Sequence, residues 1–268
     1  LVEGCRITGK ITLDGEDIYG GMDVNMLRKR VGMVFQKPNP FAMSIYDNIA
    51  YGPRTHGVRS KVRLDDIVEK SLRDAAIWDE TKDRLKKSAM EMSGGQQQRA
   101  ALARILASSP ALLLLDEPFS AMDAALKEVL RLELLHVLRD YHGLSILVTH
   151  DKDEAYQLCD SLIIMDQGQV LCSGATKDVF DNPGKYQAAR LTGCRNISPV
   201  RRLGDNRILA LDWNLTLTTA EKTTEQTKAV AIRPHCLVPV SEEAAAVWKE
   251  RPGANLIPVN APLVSPLP

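Results

Sequence analysis

The sequence predicts an α/β fold built on a parallel sheet, and three segments carry this prediction. Residues 112–115 form a continuous apolar run between Pro110 and Asp116, which is typical of a strand buried on both faces of a parallel sheet. An amphipathic pattern over about residues 122–141 follows and predicts a long helix. Residues 145–149 then predict a second buried strand. The order strand, helix, strand indicates a right-handed crossover within one parallel sheet.

Composition narrows the classes of protein to consider. Lysine plus arginine equals aspartate plus glutamate at 34 each, so no net charge directs the chain to nucleic acid or to an acidic membrane surface. The five cysteines are scattered and form no C-x-x-C pair, which favours a reducing compartment over a zinc site or a disulfide framework. The longest apolar run, residues 111–115, is far shorter than the roughly 20 residues of a membrane-spanning helix. We therefore expect any work at a membrane to depend on partner subunits.

Changes in the pattern of apolar and polar residues divide the chain into two predicted domains and a tail. Residues 1–193 are expected to form the α/β domain. An α-helical subdomain is expected within it over about residues 38–108, because apolar positions in residues 64–90 recur at helical spacing among charges. Residues 194–245 contain short alternating runs and predict a small β domain. Residues 246–268 are rich in proline with little periodicity, and we expect them to be disordered.

Two acidic residues, Asp116 and Glu117, directly follow the apolar run of residues 112–115. A strand that ends in two acids presents both at the edge of the sheet where α/β proteins bind ligands. One carboxylate can hold Mg²⁺, directly or through water, while the next orients or deprotonates an attacking water. His150 ends the next predicted strand and is expected at the same edge. Taken alone, the acidic pair fits a solvated strand end equally well.

A second pattern lies at the start of a helix predicted over residues 93–108. Ser93 is an N-cap candidate, and Gln96 completes a capping-box pattern three residues later. Gly94 and Gly95 follow the cap, where unsatisfied backbone N–H groups and the helix dipole favour an anion. The segment therefore suits a terminal phosphate, with an ordinary capped helix as the alternative.

The order of these motifs resembles that of the ATP-binding-cassette (ABC) ATPases. In that family the signature segment, Walker B strand, D-loop and H-loop follow one another, and the matching residues here are Ser93-Gly94-Gly95-Gln96, Asp116-Glu117, Ser120-Ala121-Met122-Asp123 and His150. The resemblance implies a RecA-like P-loop NTPase core that binds ATP and Mg²⁺. It also implies that Asp116 helps bind Mg²⁺, that Glu117 is the catalytic carboxylate and that His150 contacts the γ-phosphate. Gln36 matches the Q-loop glutamine, which senses the metal and the attacking water.

The same resemblance implies that the chain works as a homodimer. The segment from Ser93 to Gln96 of one copy would complete the ATP site of the opposite copy, and Asp123 would join it in nucleotide binding. The segment after Gln36 and the helical subdomain would form a groove for integral-membrane permease subunits. The chain would then lie peripherally at the cytoplasmic face of the cell membrane. An extracytoplasmic anion-binding protein would be an indirect partner, and nucleic acid is not an expected one.

The phosphate-binding loop of the family, G-x-x-x-x-G-K-[ST], has no good counterpart in this sequence. Residues 4–10 match it superficially, but Ile11 stands where a hydroxyl residue should reach Mg²⁺. The following residues also predict a strand rather than a helix. We expect that the loop belongs upstream of Leu1, and that this polypeptide alone hydrolyses ATP poorly or not at all.

Two parts of the sequence resemble different importers. Residues 1–92 resemble the phosphate-import type, above all in residues 32–41 and 44–52. From about residue 100 onward, and in the OB-like, transport-associated β domain, the chain resembles molybdate or sulfate importers. We expect an ATPase subunit that energises uptake of an inorganic oxyanion, with phosphate the first choice. A molybdate or sulfate importer ATPase and a catalytically inactive truncated product are the alternatives, and the chain would be a natural mosaic or a joined gene model.

Overall fold

A computed structural model of the 268-residue chain describes residues 8–120, 122–141, 143–233, 236–237 and 255–257. The strands are β1 (Thr12–Leu13), β2 (Glu16–Asp17), β3 (Val31–Val34), β4 (Leu112–Asp116), β5 (Leu144–Val148), β6 (Ser161–Asp166), β7 (Gln169–Ala175), β8 (Asn196–Gly204), β9 (Arg207–Ala210), β10 (Leu215–Thr218) and β11 (Ala229–Ile232). The helices are α1 (Val24–Arg30), α2 (Ile45–Thr55), α3 (Lys61–Asp74), α4 (Trp78–Thr81), α5 (Gly94–Leu106), α6 (Ala124–Asp140), α7 (Lys152–Leu158), α8 (Thr176–Asp181) and α9 (Tyr186–Leu191). In these described ranges, no helix has both the length and the apolar character needed to cross a bilayer.

Strands β3, β4 and β5 form a parallel sheet with β4 in the centre. The register pairs Val34 with Leu115 and Asp116 with Val148. Leu113 and Leu115 of β4 are buried, as expected for an apolar run in a parallel sheet. The predicted parallel arrangement is therefore confirmed, and the carboxyl ends of all three strands lie at one edge.

The prediction that β5 is a buried strand is wrong. Its residues Leu144, Ile146 and Val148 are 64%, 45% and 55% exposed. Among the described strands, β4 alone pairs with β5, so β5 is the edge of this sheet. Apolar sequence correctly identified the strand, but the burial of a strand depends on neighbours that the segment itself does not encode.

The first described hairpin, β1–β2, turns at Asp14 and Gly15, which have φ of 52° and 84°. Two consecutive residues at positive φ give the turn that suits the twist of a tight hairpin. Asp-Gly is a dipeptide that favours such a turn, and the strand before it is Thr12–Leu13. Residues 4–7 of the superficial phosphate-loop match lie outside the described residues.

Helices α2, α3 and α5 pack on one another and share a core with the parallel sheet. Ile49, Leu72 and Leu102 lie at its centre, each at most 2% exposed. Each of the three helices begins at a serine whose side chain accepts a backbone N–H, namely Ser44, Ser60 and Ser93. Helix formation in this region was predicted over residues 64–90 and 93–108, whereas α2 was included only in the wider subdomain range.

Gly32 of β3 allows α5 to pack directly against the sheet. A Cβ atom there would lie 2.3 Å from Ile105 Cγ2 and 2.9 Å from Pro110 Cγ. We expect Gly32→Ala to lower the free energy of unfolding by about 1–3 kcal/mol, because overpacking a dense core forces neighbours to shift. Thermal unfolding measures this, with Gly94→Ala as the control because a Cβ at Gly94 meets nothing within 4 Å. An unchanged melting temperature for Gly32→Ala would contradict the close packing.

Contacts divide the chain into two compact units, Leu1–Cys159 and Asp160–Pro268. The division therefore precedes the β6–β7 hairpin, whereas the predicted domain boundary was at residue 193. The physical reason is that this hairpin packs on α8 and α9, within the second unit. The hairpin turns at Gln167 and Gly168, which have φ of 46° and 75°.

The second unit also contains an antiparallel sheet with the order β10-β9-β8-β11. Its small core is formed by Ile208, Ala210 and Leu217. All four strands lie within residues 194–245, where short alternating runs predicted β structure. Of the tail that we predicted to be disordered, the structure describes residues 255–257 alone, so that prediction lies outside the described residues.

Candidate functional site

Glu117 directly follows β4 in an unusual backbone conformation. Its φ is 43°, a left-handed value that is uncommon for a residue with a side chain. Its backbone N–H donates to the Val148 carbonyl oxygen of β5 at 2.9 Å, which anchors the turn to the sheet edge. Residues held in such conformations cost about 1–3 kcal/mol each and cluster at functional sites. The backbone geometry thus marks the position that the acidic-pair motif had indicated.

The two outer strands of the parallel sheet each deliver one side chain to the carboxylate of Glu117, which follows the central strand. Gln36, two residues beyond β3, donates from Nε2 to Glu117 Oε2 at 2.7 Å. His150, two residues beyond β5, places Nδ1 3.1 Å from Glu117 Oε1, a hydrogen bond in the tautomer that carries its proton on Nδ1. The parallel register brings these residues together although 114 positions separate Gln36 from His150 in the sequence. All three are among the residues predicted from the sequence, and their chemical roles remain predictions.

The cluster is accessible to a ligand. The His150 side chain is 79% exposed and that of Glu117 is 25% exposed, while Gln36 is also exposed. Asp116, the last residue of β4, directly precedes Glu117 and is half-buried. A carboxylate that is shielded on the protein side and reachable from solvent can order a water molecule against an incoming substrate.

The donor set fits a metal ion that arrives with a nucleotide. Within the described part of the chain, no group of three or more His, Cys, Asp or Glu side chains is arranged to hold a metal by itself. Mg²⁺ is usually bound by one or two carboxylates, with substrate phosphates and water as its other ligands. Asp116 and Glu117 supply two adjacent carboxylates, and Gln36 uses its nitrogen toward Glu117, which leaves its amide oxygen for a cation. The residues present therefore fit Mg²⁺ bound together with ATP.

The tip of α5 has the capping box that the sequence predicted. Ser93 Oγ accepts the backbone N–H of Gln96 at 3.4 Å, and Gln96 Oε1 accepts the backbone N–H of Ser93 at 3.1 Å. Gln96 is fixed further by donating to Glu80 Oε2 at 2.7 Å and by accepting from Arg84 at 3.2 Å. These bonds hold the first turn of α5 rigidly in place.

The front of this tip is open. Ser93 and Gly94 are exposed, and a Cβ atom at Gly94 would meet nothing within 4 Å. In the described residues, no hydrogen bond links the segment from Ser93 to Gln96 with Glu117. The capping box uses the backbone N–H groups of Ser93 and Gln96, whereas those of Gly94 and Gly95 have no acceptor among the described residues. An anion carried by another molecule can approach these two groups.

Asp123 is the N-cap of α6. Its Oδ1 accepts the backbone N–H of Leu126 at 2.9 Å, and the residue is exposed. The structure thus gives Asp123 a capping function in the single chain. One turn along α6, Lys127 connects this helix to the residues that follow His150.

Sequence reasoning missed an ion-pair network centred on Lys127. Its Nζ lies 2.7 Å from Asp151 Oδ2 and 2.6 Å from Glu154 Oε1. Glu154 is nearly buried, with its side chain 4% exposed, and it also accepts a hydrogen bond from the Thr149 hydroxyl. Asp151 and Glu154 have capping-box spacing, so the sequence could indicate the start of α7. It could not indicate their pairing with Lys127. The network fixes the backbone on both sides of His150.

This network changes the pKa of its members. Burial alone would raise the pKa of Asp151, but the bond from Lys127 and the backbone N–H groups of Asp153 and Glu154 outweigh it and lower the pKa from 3.8 to about 2. Burial alone would lower the pKa of Lys127, but its bonds to Asp151 and Glu154 outweigh it and raise the pKa above 10.5. Because the folded-state pKa of Asp151 is depressed, its contribution to stability is present above about pH 4 and is lost between pH 3.8 and about 2.

We expect Lys127→Met to lower the free energy of unfolding by about 1–3 kcal/mol at pH 7, because Glu154 is left buried without its cation. The difference from the wild type should narrow as the pH falls from about 4 to 2 and below, because Asp151 of the wild type takes up its proton over this range. Denaturant unfolding at several pH values measures this. The control is Lys152→Met, which removes an exposed pair with Asp153 and should change stability by less than about 0.5 kcal/mol. An equal loss in both variants would refute the network's contribution.

Comparison with known proteins places the chain in a family. Residues 4–120 match the family model described as ABC transporter. Over 185 residues the chain is 54% identical to "Phosphate import ATP-binding protein PstB 3" of Streptococcus pneumoniae serotype 4, covering 68% of this chain and 73% of that protein. The protein of the same name from S. pneumoniae strain R6 matches equally well. The chain therefore belongs to the ABC transporter family, as one of its importer ATPase subunits, and its ATPase activity is coupled to transport.

Two solved structures share the fold. One is a bacterial Atm1-family ABC exporter with ATP bound, at TM-score 0.57 and 27% identity. The chain spans 69% of its own length in that match but 31% of the exporter chain. The other is CbiO1 from Clostridium perfringens, part of the ABC transporter complex CbiONQ, at TM-score 0.56 and 27% identity over 66% of this chain and 69% of that one. The predicted α/β P-loop NTPase core is thereby confirmed.

Proposed function

We propose that this protein is the ATP-hydrolysing subunit of an ABC importer that takes up inorganic phosphate. The 54% identity to phosphate import proteins supports phosphate as the transported ion. One structural observation carries the catalytic assignment: Gln36 and His150 both contact the carboxylate of Glu117 at the carboxyl edge of the parallel sheet. This arrangement suits a carboxylate that must be held in one orientation toward a water molecule.

Each side chain of the site would have a separate role in phosphoryl transfer. Bound Mg²⁺ would neutralise charge on the ATP phosphates. Asp116, with the amide oxygen of Gln36, would hold that ion. Glu117 would orient the attacking water and accept its proton, while His150 would contact the γ-phosphate. Gln36 and His150 fix the carboxylate before substrate arrives, so little reorganisation is needed at the reaction step.

A second copy of the chain would complete each site. The open tip formed by Ser93, Gly94, Gly95 and Gln96 would bind the terminal phosphate of ATP that is held by the opposite copy, with Asp123 nearby. The backbone N–H groups of Gly94 and Gly95 support the assignment, because they have no acceptor in the part of the chain that the structure describes. We propose a homodimer with two such composite sites.

The segment that follows Gln36 would receive the permease subunits. The rings of Phe41 and Tyr51 contact each other at a tilt of 59°, with their centroids 5.1 Å apart, and the two residues are 38% and 47% exposed. Exposed aromatic residues beside a catalytic loop suit a protein interface. Attachment there would place the protein peripherally at the cytoplasmic face of the membrane. An extracytoplasmic anion-binding protein would act through the permease, and we propose no role for nucleic acid.

Transport by the reconstituted complex tests the proposed substrate. The complete gene product is purified with its permease subunits, placed in proteoliposomes with the matching binding protein, and supplied with ATP and radiolabelled phosphate, sulfate or molybdate. We expect ATP-dependent uptake of phosphate alone. Uptake of sulfate or molybdate instead would reject the phosphate assignment and keep the importer ATPase. A complex that hydrolyses no ATP would support the inactive product.

A further inference from the structure

Helix α5 is attached to both sides of the segment that carries Gln36. On one side, Gln98 Nε2 donates to the carbonyl oxygen of Phe35 at 2.9 Å. On the other side, Arg104 donates to Asn39 twice, to the backbone oxygen at 3.0 Å and to Oδ1 at 2.7 Å. Residues 35 and 39 flank Gln36, so both attachments act on a short stretch of backbone.

Both attachments are buried. Gln98 is 1% exposed and Arg104 is 8% exposed. The guanidinium of Arg104 also lies 4.4 Å from the centre of the Phe41 ring, which restricts its orientation. Bonds in such an environment are held in one geometry, and water competes with them poorly.

Packing alone does not explain why position 98 is a glutamine. Its Oε1 atom is buried and has no hydrogen-bond partner among the described residues. A buried acceptor without a partner is unfavourable, and an unbranched apolar side chain of similar size would avoid that cost. The bond from Nε2 to Phe35 is therefore the specific interaction that distinguishes glutamine from an apolar residue at this position.

The same helix begins at the open tip. Ser93 caps α5, and Gln98 and Arg104 lie on it one to three turns further along. Because a helix of this kind moves as one body, a displacement of its tip also displaces its two attachments to residues 35 and 39. Gln36 lies between these attachments, and its own side chain reaches Glu117.

We propose that Gln98 and Arg104 are positioning residues that set the place of Gln36 against Glu117 according to the position of α5. When the tip of α5 binds the nucleotide held by a second copy, the two attachments carry that event to Gln36. Hydrolysis is thereby favoured when both copies are engaged. This inference rests on the proposed ATPase function. It adds a route by which the α5 tip of one copy acts on Gln36 of the same copy.

Steady-state kinetics of the complete gene product test the route. We expect Gln98→Met to lower kcat by about ten- to a hundredfold, because a small misplacement of a catalytic group costs that much. The KM for ATP should stay within about twofold, since neither residue is placed in nucleotide binding. Arg104→Lys should keep the charge, lose the paired bonds and give a smaller decrease. The control is Ile105→Val, which loosens the same helix without removing either attachment and should keep kcat.

A double variant separates positioning from general damage. If Gln98 acts through Gln36, then adding Gln98→Met to Gln36→Ala should lower kcat no further than Gln36→Ala alone. Independent, multiplying losses would overturn the proposal.

A spectroscopic measurement makes the test independent of activity. In protein labelled with ¹⁵N-glutamine, the side-chain NH₂ signal of Gln36 is assigned by its loss in Gln36→Ala. We expect Gln98→Met to shift this signal toward that of a free glutamine and Ile105→Val to leave it unchanged. An unmoved signal in Gln98→Met would reject the positioning role. If the signal moves but the wild type hydrolyses no ATP, the attachment stands and the proposed ATPase function fails.

Discussion

Replacing Glu117 by glutamine is expected to lower kcat for ATP hydrolysis by about 10²–10⁴-fold, the usual contribution of a general base. The amide has nearly the same shape as the carboxylate but cannot accept the proton of the attacking water. Binding of Mg²⁺ and ATP should persist, because the phosphates are held by other groups. The measurement combines an ATPase assay of the complete gene product with equilibrium binding of ATP.

The oligomeric state provides a second readout for Glu117→Gln. If ATP lies between two copies and is not hydrolysed, dimers should accumulate when ATP is added, as measured by size-exclusion chromatography with light scattering. The matched control is Glu69→Gln, the same chemical change at a half-exposed carboxylate that pairs with Arg73 at 2.7 Å on α3. It should keep the wild-type rate. If the Glu117→Gln protein keeps more than about half of the wild-type kcat, Glu117 is not the general base.

Replacing Gly94 by valine is expected to reduce ATP hydrolysis by about 10²–10³-fold without unfolding the chain. Within the single chain a Cβ at Gly94 has open space, so the substitution meets no steric obstacle. The added side chain covers the N–H groups at the start of α5, which we propose bind the phosphate of the opposite copy. Loss of one such preorganised donor set has an effect of this size in other enzymes.

The control for Gly94→Val is Gly204→Val. Gly204 lies in β8, where an added Cβ also meets nothing within 4 Å. Both variants should retain circular dichroism spectra and melting temperatures close to those of the wild type, while Gly94→Val alone should lose activity and ATP-induced dimers. Full activity of Gly94→Val would show that nothing approaches the tip of α5 closely.

The residues that converge at the sheet edge could be predicted because their positions are set by local pattern. An apolar run followed by two acids predicted β4 and its end, and His150 followed the next strand. Parallel strands place their carboxyl ends at one edge, so sequence order alone brought these groups near each other. Gln36 was predicted through the family resemblance, since a lone glutamine after a strand carries no signal of its own, and its bond to Glu117 was not predicted.

Other features depend on contacts between distant segments, and local pattern does not encode them. Gly52 and Pro53 lie inside α2 and weaken its helical signal, and tertiary packing overrides that weakness. The attachment of Gln98 to Phe35 spans 63 positions, so no spacing rule indicates it. The exposed edge formed by β5 and the position of the unit division likewise follow from which elements pack together, rather than from the composition of any one of them.

Mixing two inactive variants tests the two-copy site most directly. In a mixed dimer of Glu117→Gln with Gly94→Val, one site contains both substitutions and the other contains neither, provided that each site combines Glu117 of one copy with Gly94 of the other. Half of the dimers in an equal mixture are mixed and each has one intact site, so independent sites would recover about a quarter of the wild-type ATPase rate. We predict a clear recovery below that value, because the copy that supplies Glu117 to the intact site carries Gly94→Val in its own tip. If the mixture shows no more activity than the sum of the two variants alone, the two residues act within one chain and the proposed site between copies is wrong.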